Sequence, residues 1–205
     1  MDSKPGSTSM ALKRKLIFSV VFIFVVYIAF GQILQVTDKR RDWSVSIYEY
    51  DDTYTIKAIN LKNRKNITIE GIAMRPNPDM YWLNDDVLRI DFGSAVAPDK
   101  SSYFFSTKYE KFSKHIFFAT NFIDLSNEFV LCADRDISIV DIFSDGKSTI
   151  LILPHDIFRT ACYWFCIGKN TKFNNKFLFL EYLVEGHNMD TYKIKKYELP
   201  KKTVE

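Results

Sequence analysis

The sequence predicts an all-β fold, an antiparallel β meander of sandwich or propeller-like form, preceded by one N-terminal transmembrane helix. Three observations predict it. An uncharged apolar run stands near the N-terminus, directly after Lys13-Arg14-Lys15. Beyond Asp42 the chain changes to short runs of β-branched and aromatic residues separated by polar turn formers. In that part no amphipathic periodicity lasts longer than about two helical turns, and only the piece after Pro154 offers a short one.

The apolar run extends from Leu16 to Leu34 and is rich in Leu, Ile, Phe and Val. Nineteen residues rising about 1.5 Å each span roughly 28 Å, the thickness of a bilayer's hydrocarbon core. Residues 1–15 read as a basic tail, residues 16–35 as a membrane anchor or signal segment, and residues 42–205 as a β-rich domain. Ala29-Phe30-Gly31 supplies small residues where a signal peptidase could cut, so both retention and cleavage stay open, with retention the expectation. Lys4, Lys13, Arg14 and Lys15 precede the segment, while Lys39, Arg40 and Arg41 follow it, so the charge rule barely sets orientation. The expected placement is single-pass in a bacterial inner membrane, with the C-terminal domain in the periplasm or outside the cell.

Strands are expected in order at Trp43 to Tyr50, Tyr54 to Leu61, Ile67 to Met74, Val87 to Phe92, Tyr103 to Thr107 and His115 to Ala119. They continue at Phe129 to Ala133, Ile137 to Phe143, Thr149 to Leu153, Cys162 to Ile167, Phe177 to Leu183 and Tyr192 to Glu198. Asn63-Arg64-Lys65 and Asp145-Gly146-Lys147 sit between runs as hairpin turns do, because Asn and Gly tolerate positive φ. A strand, polar turn, strand form recurs from Tyr54, from Tyr103 and from Ile137, and begins again at Tyr192, suggesting meander units of roughly 45 residues, the period of propeller blades. Ordinary hairpins of a sandwich give the same pattern. The alternation places Ile139 and Ile150 in the core.

Composition supplies the core and removes one class of partner. The chain has 18 Phe and 11 Tyr in 205 residues, enough large rings to fill a β interior. Seven of the 28 Lys and Arg and two of the 25 acids fall within residues 1–41, leaving 21 against 23 downstream. The basic charge therefore belongs to the anchor, and nucleic acid is not an expected partner.

Catalytic patterns are sparse. His115, His155 and His187 are the only histidines, and no nucleophile elbow, zinc-protease motif or phosphate-binding glycine loop occurs. His115 lies in an apolar alternation and reads as a strand residue, while His155-Asp156 reads as a loop or helix start. Asp85-Asp86 and Asp51-Asp52 read as turn acids. Asp134-x-Asp136 begins like a calcium loop but has Ile139 where glycine is needed. In a strand, Cys162 and Cys166 would stand about 13 Å apart, too far to bridge, so oxidation outside the cytosol would pair Cys132 with one of them. No cofactor or metal is expected.

Gly93-Ser94, Tyr103-Phe104-Phe105, Lys111-Phe112-Ser113 and Ile139-Val140-Asp141-Ile142-Phe143 together resemble a pattern in small uncharacterised bacterial envelope proteins, over roughly residues 80–185. The outline of a single anchor and a compact β domain is similar to that of immunity proteins. The resemblance implies a membrane-anchored, non-enzymatic domain that neutralises a periplasmic toxin by stoichiometric binding. Aromatic anchors for that task are sought in Tyr81, Trp82 and Phe104. The alternative is an envelope enzyme or solute-binding sensor built on His155 and Asp156 or on the acids around Asp85.

Overall fold

The computed structural model describes residues 33–51, 53–73, 78–93, 101–144, 149–160, 163–186 and 191–200. The fold is all-β and antiparallel, and the chain lays down four sheets one after another. The N-terminal tail and the anchor up to residue 32 lie outside the described residues, as do Asp145-Gly146-Lys147, Cys162 and His187. No described helix is long and apolar enough to cross a membrane.

The first sheet orders β1 (Ile33–Arg40), β2 (Trp43–Tyr50), β3 (Thr53–Asn60) and β4 (Asn66–Ala73) as neighbours. Alternation decides its inner face: Trp43, Val45 and Ile47 stand beside Ala58, Ile56 and Tyr54, all buried. The two hairpins close through two residues each, with Arg41 and Asp51 held at φ 53° and 43°, the backbone sign that matches strand twist. After β3, the Asn60 side-chain carbonyl accepts the N–H groups of Lys62 and Asn63 at 2.9 and 3.2 Å, which turns the chain at the expected Asn63-Arg64-Lys65 site. Glu70 and Gly71 bulge out opposite Thr55, with Gly71 at φ 70°.

The second sheet contains β5 (Asp79–Trp82), β6 (Val87–Phe92) and β7 (Ser101–Ser106), followed by the short β8 (Lys111–Phe112) and β9 (Ile116–Phe117), both paired to β7. Every residue of β6 and β7 is buried, so this sheet is covered on both faces. The third sheet contains β10 (Ala119–Asp124), β11 (Phe129–Ala133), β12 (Ile137–Asp141) and β13 (Thr149–Leu151). A fourth contains β14 (Lys172–Asn174), β15 (Phe177–Leu183) and β16 (Tyr192–Glu198).

The sheets stack face to face in chain order. Between the first two, Trp43, Ile47 and Ile56 meet Leu88, Ile90 and Phe105, with the Trp43 and Phe105 rings edge-on at 4.9 Å. Between the second and third, Val87 and Phe104 meet Val130, Cys132 and Ile142. Between the third and fourth, Leu131, Ile137 and Ile139 meet Leu178, Leu180 and Tyr182. Ile139 is fully buried as expected, and Ile150 packs against the same cluster, partly covered. None of these three clusters joins the first sheet to the fourth.

Several expectations are corrected. Ile33 to Gln35, assigned to the anchor, open β1, so described strand structure is already present before residue 42. The expected strand from His115 to Ala119 is two: Phe118 takes φ 55° and carries the chain from the second sheet to the third. The expected strand from Cys162 to Ile167 is a 3-10 turn over Tyr163–Cys166. Its cause is tertiary: the Tyr163 N–H donates to the Asp134 carbonyl at 2.7 Å, and Tyr163 and Cys166 fill the space between sheets three and four. After Pro154 the chain forms a turn and a single bridge from Ile157 to Val184, not a helix. Cys132 and Cys166 sit in different cores, so Cys132 is not paired with Cys166, and Cys162, its other expected partner, lies outside the described residues.

Candidate functional site

The buried polar centre of the molecule lies on the seam between the second and third sheets. Arg89 is completely buried in β6, and its Nε–H donates to Asp91 Oδ1 at 2.7 Å. The rest of the guanidinium donates to the carbonyls of Thr120 at 2.6 Å and Ala119 at 2.9 Å, and to Ser102 Oγ at 3.3 Å. Asp91 also accepts from Ser102 Oγ at 2.5 Å and from the Tyr81 hydroxyl at 3.2 Å. A buried charge satisfied this fully belongs to the scaffold and ties β6 and β7 to β10.

Of the three aromatic residues sought as anchors, Phe104 is wholly interior, while Tyr81 and Trp82 are partly exposed. Phe104 is fully buried, with Arg89 5.7 Å from its ring centre, so it has no area to give to a partner. Tyr81 lies on the same side of Arg89, at 6.0 Å, and is half-buried. Burial pushes its phenol up to about 12, opposed by the Arg89 charge and assisted by Asp91. Trp82 faces the other way and packs on the first core, with the Arg40 guanidinium 5.9 Å from its ring. Its indole N–H is buried without an acceptor among the described residues.

The acids singled out from the sequence are structural as well. Asp85 pairs with Arg40 at 2.6 Å, and Asp86 with Arg41 at 2.7 Å, so the turn between β5 and β6 clips the first sheet to the second. Hydrogen bonding from Arg40 holds Asp85 below the usual carboxylate range. Asp156 is bound to sheet four, accepting from Lys193 Nζ at 2.7 Å and from the Tyr182 hydroxyl at 2.8 Å, and these two bonds, Lys193 first, hold it at about 2. His155 is exposed. The Asp134 N–H donates to the Asp136 carbonyl at 3.0 Å, closing the turn between β11 and β12. Among the described residues no group of three or more His, Cys, Asp or Glu gathers for a metal.

Two of the clefts between neighbouring described sheets border the third sheet. The larger, about 590 Å³, lies between β10 and β14 and is lined by Asn121, Asp124, Lys172 and Asn174. Asp124 is occupied by its own turn: burial raises its pKa, yet hydrogen bonds from Ser126 and Asn127 more than offset this and hold it low. The smaller groove, about 230 Å³, lies between β9 of sheet two and the middle strands β11 and β12 of sheet three and is lined by His115, Phe117, Cys132, Ser138 and Val140 among others. Tyr103 stacks parallel on His115 with centroids 4.9 Å apart, and His115 meets Phe117 at 4.1 Å. Phe117 is 52% exposed, and Leu151, the cross-strand neighbour of Ser138, is 60% exposed.

This smaller groove is the candidate site. Its walls mix Ile116, Phe117, Val140 and Ile142 with the polar Lys114, Ser138, Asp141 and Ser144, and two large hydrophobic side chains, Phe117 in the lining and Leu151 next to Ser138, are left in solvent, a feature of surfaces that receive another apolar group. Burial raises the Cys132 thiol in its floor to about 12, with Arg89 opposing, so the sulfur stays protonated and unreactive. The sequence singles out none of His115, Phe117 and Leu151 as a site residue, and His115 reads there as a strand residue. Alternation of His115 with Phe117 was the available signal, and it could not distinguish a rim from a core.

No protein family and no curated protein matches the chain. Among solved structures it is similar to the β-propeller domain of the Trilobed protease from Pyrococcus furiosus, which is described as having an open velcro topology. The match is 13% identical over 82% of this chain and 68% of that one, with a TM-score of 0.36. It is also similar to a prolyl endopeptidase structure, 8% identical over 80% of this chain and 29% of that one, again with a TM-score of 0.36.

Proposed function

We propose that this protein is a membrane-tethered, propeller-like scaffold, its four sheets the blades of an open arc, that binds a protein partner outside the cytosol. Within that class we take it as an immunity protein that neutralises a toxin by occupying it stoichiometrically. The observation supporting the reading is the groove between sheets two and three, where Phe117 stands 52% exposed beside the Tyr103–His115 stack and Leu151, the neighbour of the lining residue Ser138, stands 60% exposed. Apolar rims of this kind supply interface anchors when a partner covers them. A tether at residues 16–35 raises the effective concentration of the domain at the membrane, which suits capture of an incoming protein.

The test co-expresses toxins encoded by neighbouring genes with the full chain or with the Phe117→Ala, Leu151→Ala double variant. Protection and complex formation should both fall with the double variant while circular dichroism stays unchanged. Undiminished protection by the double variant would remove the groove from the reading. Loss of protection on Ala replacement of His155, with folding and complex formation intact, would replace binding by catalysis.

A further inference from the structure

Among the described residues no strand lies on the outer edge of β16, the outermost strand of the fourth sheet, and that edge has a defined hydrogen-bond phase. The first and third sheets have four strands each, whereas the fourth has three among the described residues. β16 pairs with β15 in unbroken register from Leu183↔Tyr192 to Phe177↔Glu198. Just beyond the two ends, the Val184 N–H donates to the Thr191 carbonyl at 3.0 Å and the Leu199 N–H to the Lys176 carbonyl at 2.7 Å. Antiparallel ladders alternate hydrogen-bonded and non-bonded pairs. Thr191 and Leu199 therefore fix the phase: Lys193, Lys195 and Tyr197 point their backbone groups at β15, and Tyr192, Ile194, Lys196 and Glu198 point theirs away from it.

Other outer edges in the molecule are blunted in the ways that prevent strand addition. β4 is bulged at Gly71. The outer edge of sheet two is split into the two-residue pieces β8 and β9, and β13 is three residues long. β16 is seven residues, without a register shift, and carries Ile194 at 60% and Tyr192 at 44% exposure. It is also locally basic, with three lysines against one glutamate, in a domain with 21 basic and 23 acidic residues.

We propose that the free edge of β16 takes up an extended, acidic segment of a partner protein as a fourth strand of this sheet. This surface is separate from the groove and stands without it. Charge selects the occupant. A second copy of β16 would bring lysines against lysines across the new ladder, whereas an acidic strand places carboxylates opposite Lys195 and beside Lys193, whose ammonium Asp156 already shares. On the other face of the ladder the added strand meets Tyr192 and Ile194, so apolar residues alternating with acids complement both faces. Main-chain hydrogen bonds then supply the affinity and the alternate side chains the selectivity.

The test uses the full chain in detergent and a synthetic peptide of alternating valine and glutamate, with a valine and lysine peptide as comparison. Amide hydrogen exchange should slow at Tyr192, Ile194, Lys196 and Glu198 on addition of the acidic peptide, with Lys193, Lys195 and Tyr197 already slow without it. Ile194→Pro removes one outward donor without touching the β15 ladder and should weaken peptide binding about tenfold, whereas Ile194→Thr keeps the donor and most of the affinity. Equal binding of the lysine peptide, unchanged affinity in Ile194→Pro, or no new protection at saturating acidic peptide would each overturn the proposal. So would protection of those four amides that grows with protein concentration alone, because the occupant would then be a second copy. Should Ile194→Pro unfold, the exchange pattern of the unaltered protein decides.

Discussion

Arg89 and Asp91, two residues apart on one face of β6, form an ion pair of 2.7 Å with side chains 0% and 7% exposed. The pair lies where sheets two and three meet. Arg89 reaches across that seam to two carbonyls of β10, and Asp91 gathers Ser102 and Tyr81 behind it. This makes one side chain responsible for fixing how the two sheets sit on each other.

Replacing Arg89 with Met keeps most of the apolar stem but leaves Asp91 in the interior without its cation. Removing one partner of a buried pair costs about 3 kcal/mol or more, so Arg89→Met should lower unfolding stability by about that amount in urea titration. Arg89→Lys retains the charge but offers a single ammonium where a fork meets acceptors on both sheets. It should recover only part of the loss. A stability change under about 0.5 kcal/mol in either variant would mean that the network is dispensable.

Several strands stand in the sequence with their observed limits. Val87 to Phe92, Phe129 to Ala133 and Tyr192 to Glu198 match because apolar or aromatic residues recur along each and Gly93, Asp134 or Pro200 follows closely. What was hidden has identifiable causes. β5 is four residues, with Pro78 just before it, and β14 is three, too short for periodicity to show. Tyr163–Cys166 reads as a strand locally and becomes a 3-10 turn only because the Asp134 carbonyl, far away in sequence, takes its first N–H. Arg89 was not singled out, since a lone arginine among apolar residues gives no sign of which carbonyls will surround it. Phe117 and Leu151 are ordinary strand hydrophobics in the sequence, and only the stacking of sheets leaves them at a rim.

Asp51 is exposed and held at φ 43° in the two-residue turn between β2 and β3. A residue with a Cβ is strained in that region by about 1 kcal/mol, and glycine is not. Asp51→Gly should therefore stabilise the folded domain by a few tenths of a kcal/mol up to about 1, the gain reduced by the greater freedom of glycine in the unfolded chain. A thermal midpoint that falls would show that the Asp51 side chain contributes more to this turn than its backbone strain removes.

Alkaline pH should loosen the molecule in a narrow window. Burial raises the phenols of Tyr81, Tyr182 and Tyr197 to about 12, from an ordinary 10.0, with Asp156 adding to the shift of Tyr182 and Tyr197. A titration raised on folding means that the native state holds the neutral phenol. The stability associated with it is complete below pH 10 and is lost as the pH rises towards 12. Phenolate absorbance followed together with far-ultraviolet circular dichroism should show these tyrosines ionising only as the β signal disappears. Ionisation of every tyrosine near pH 10 with the β signal intact would contradict the burial of these rings.

The last prediction concerns where the domain begins. β1 pairs with β2 from Ile33↔Glu49 to Arg40↔Trp43, broken by a single irregularity between Leu34 and Val36. Arg40 and Arg41 at its end hold Asp85 and Asp86 of the second sheet. A chain beginning at Ile33 should therefore fold and show β-type circular dichroism. One beginning at Asp42 loses the first strand and both clips, opening the long regular edge of β2 to pairing between molecules. It should aggregate or unfold at a lower urea concentration than the chain from Ile33, by about 2 kcal/mol or more given the eight-residue ladder removed. Equal stability of the two chains would mean that β1 contributes nothing to the fold and that the domain begins at Trp43 after all.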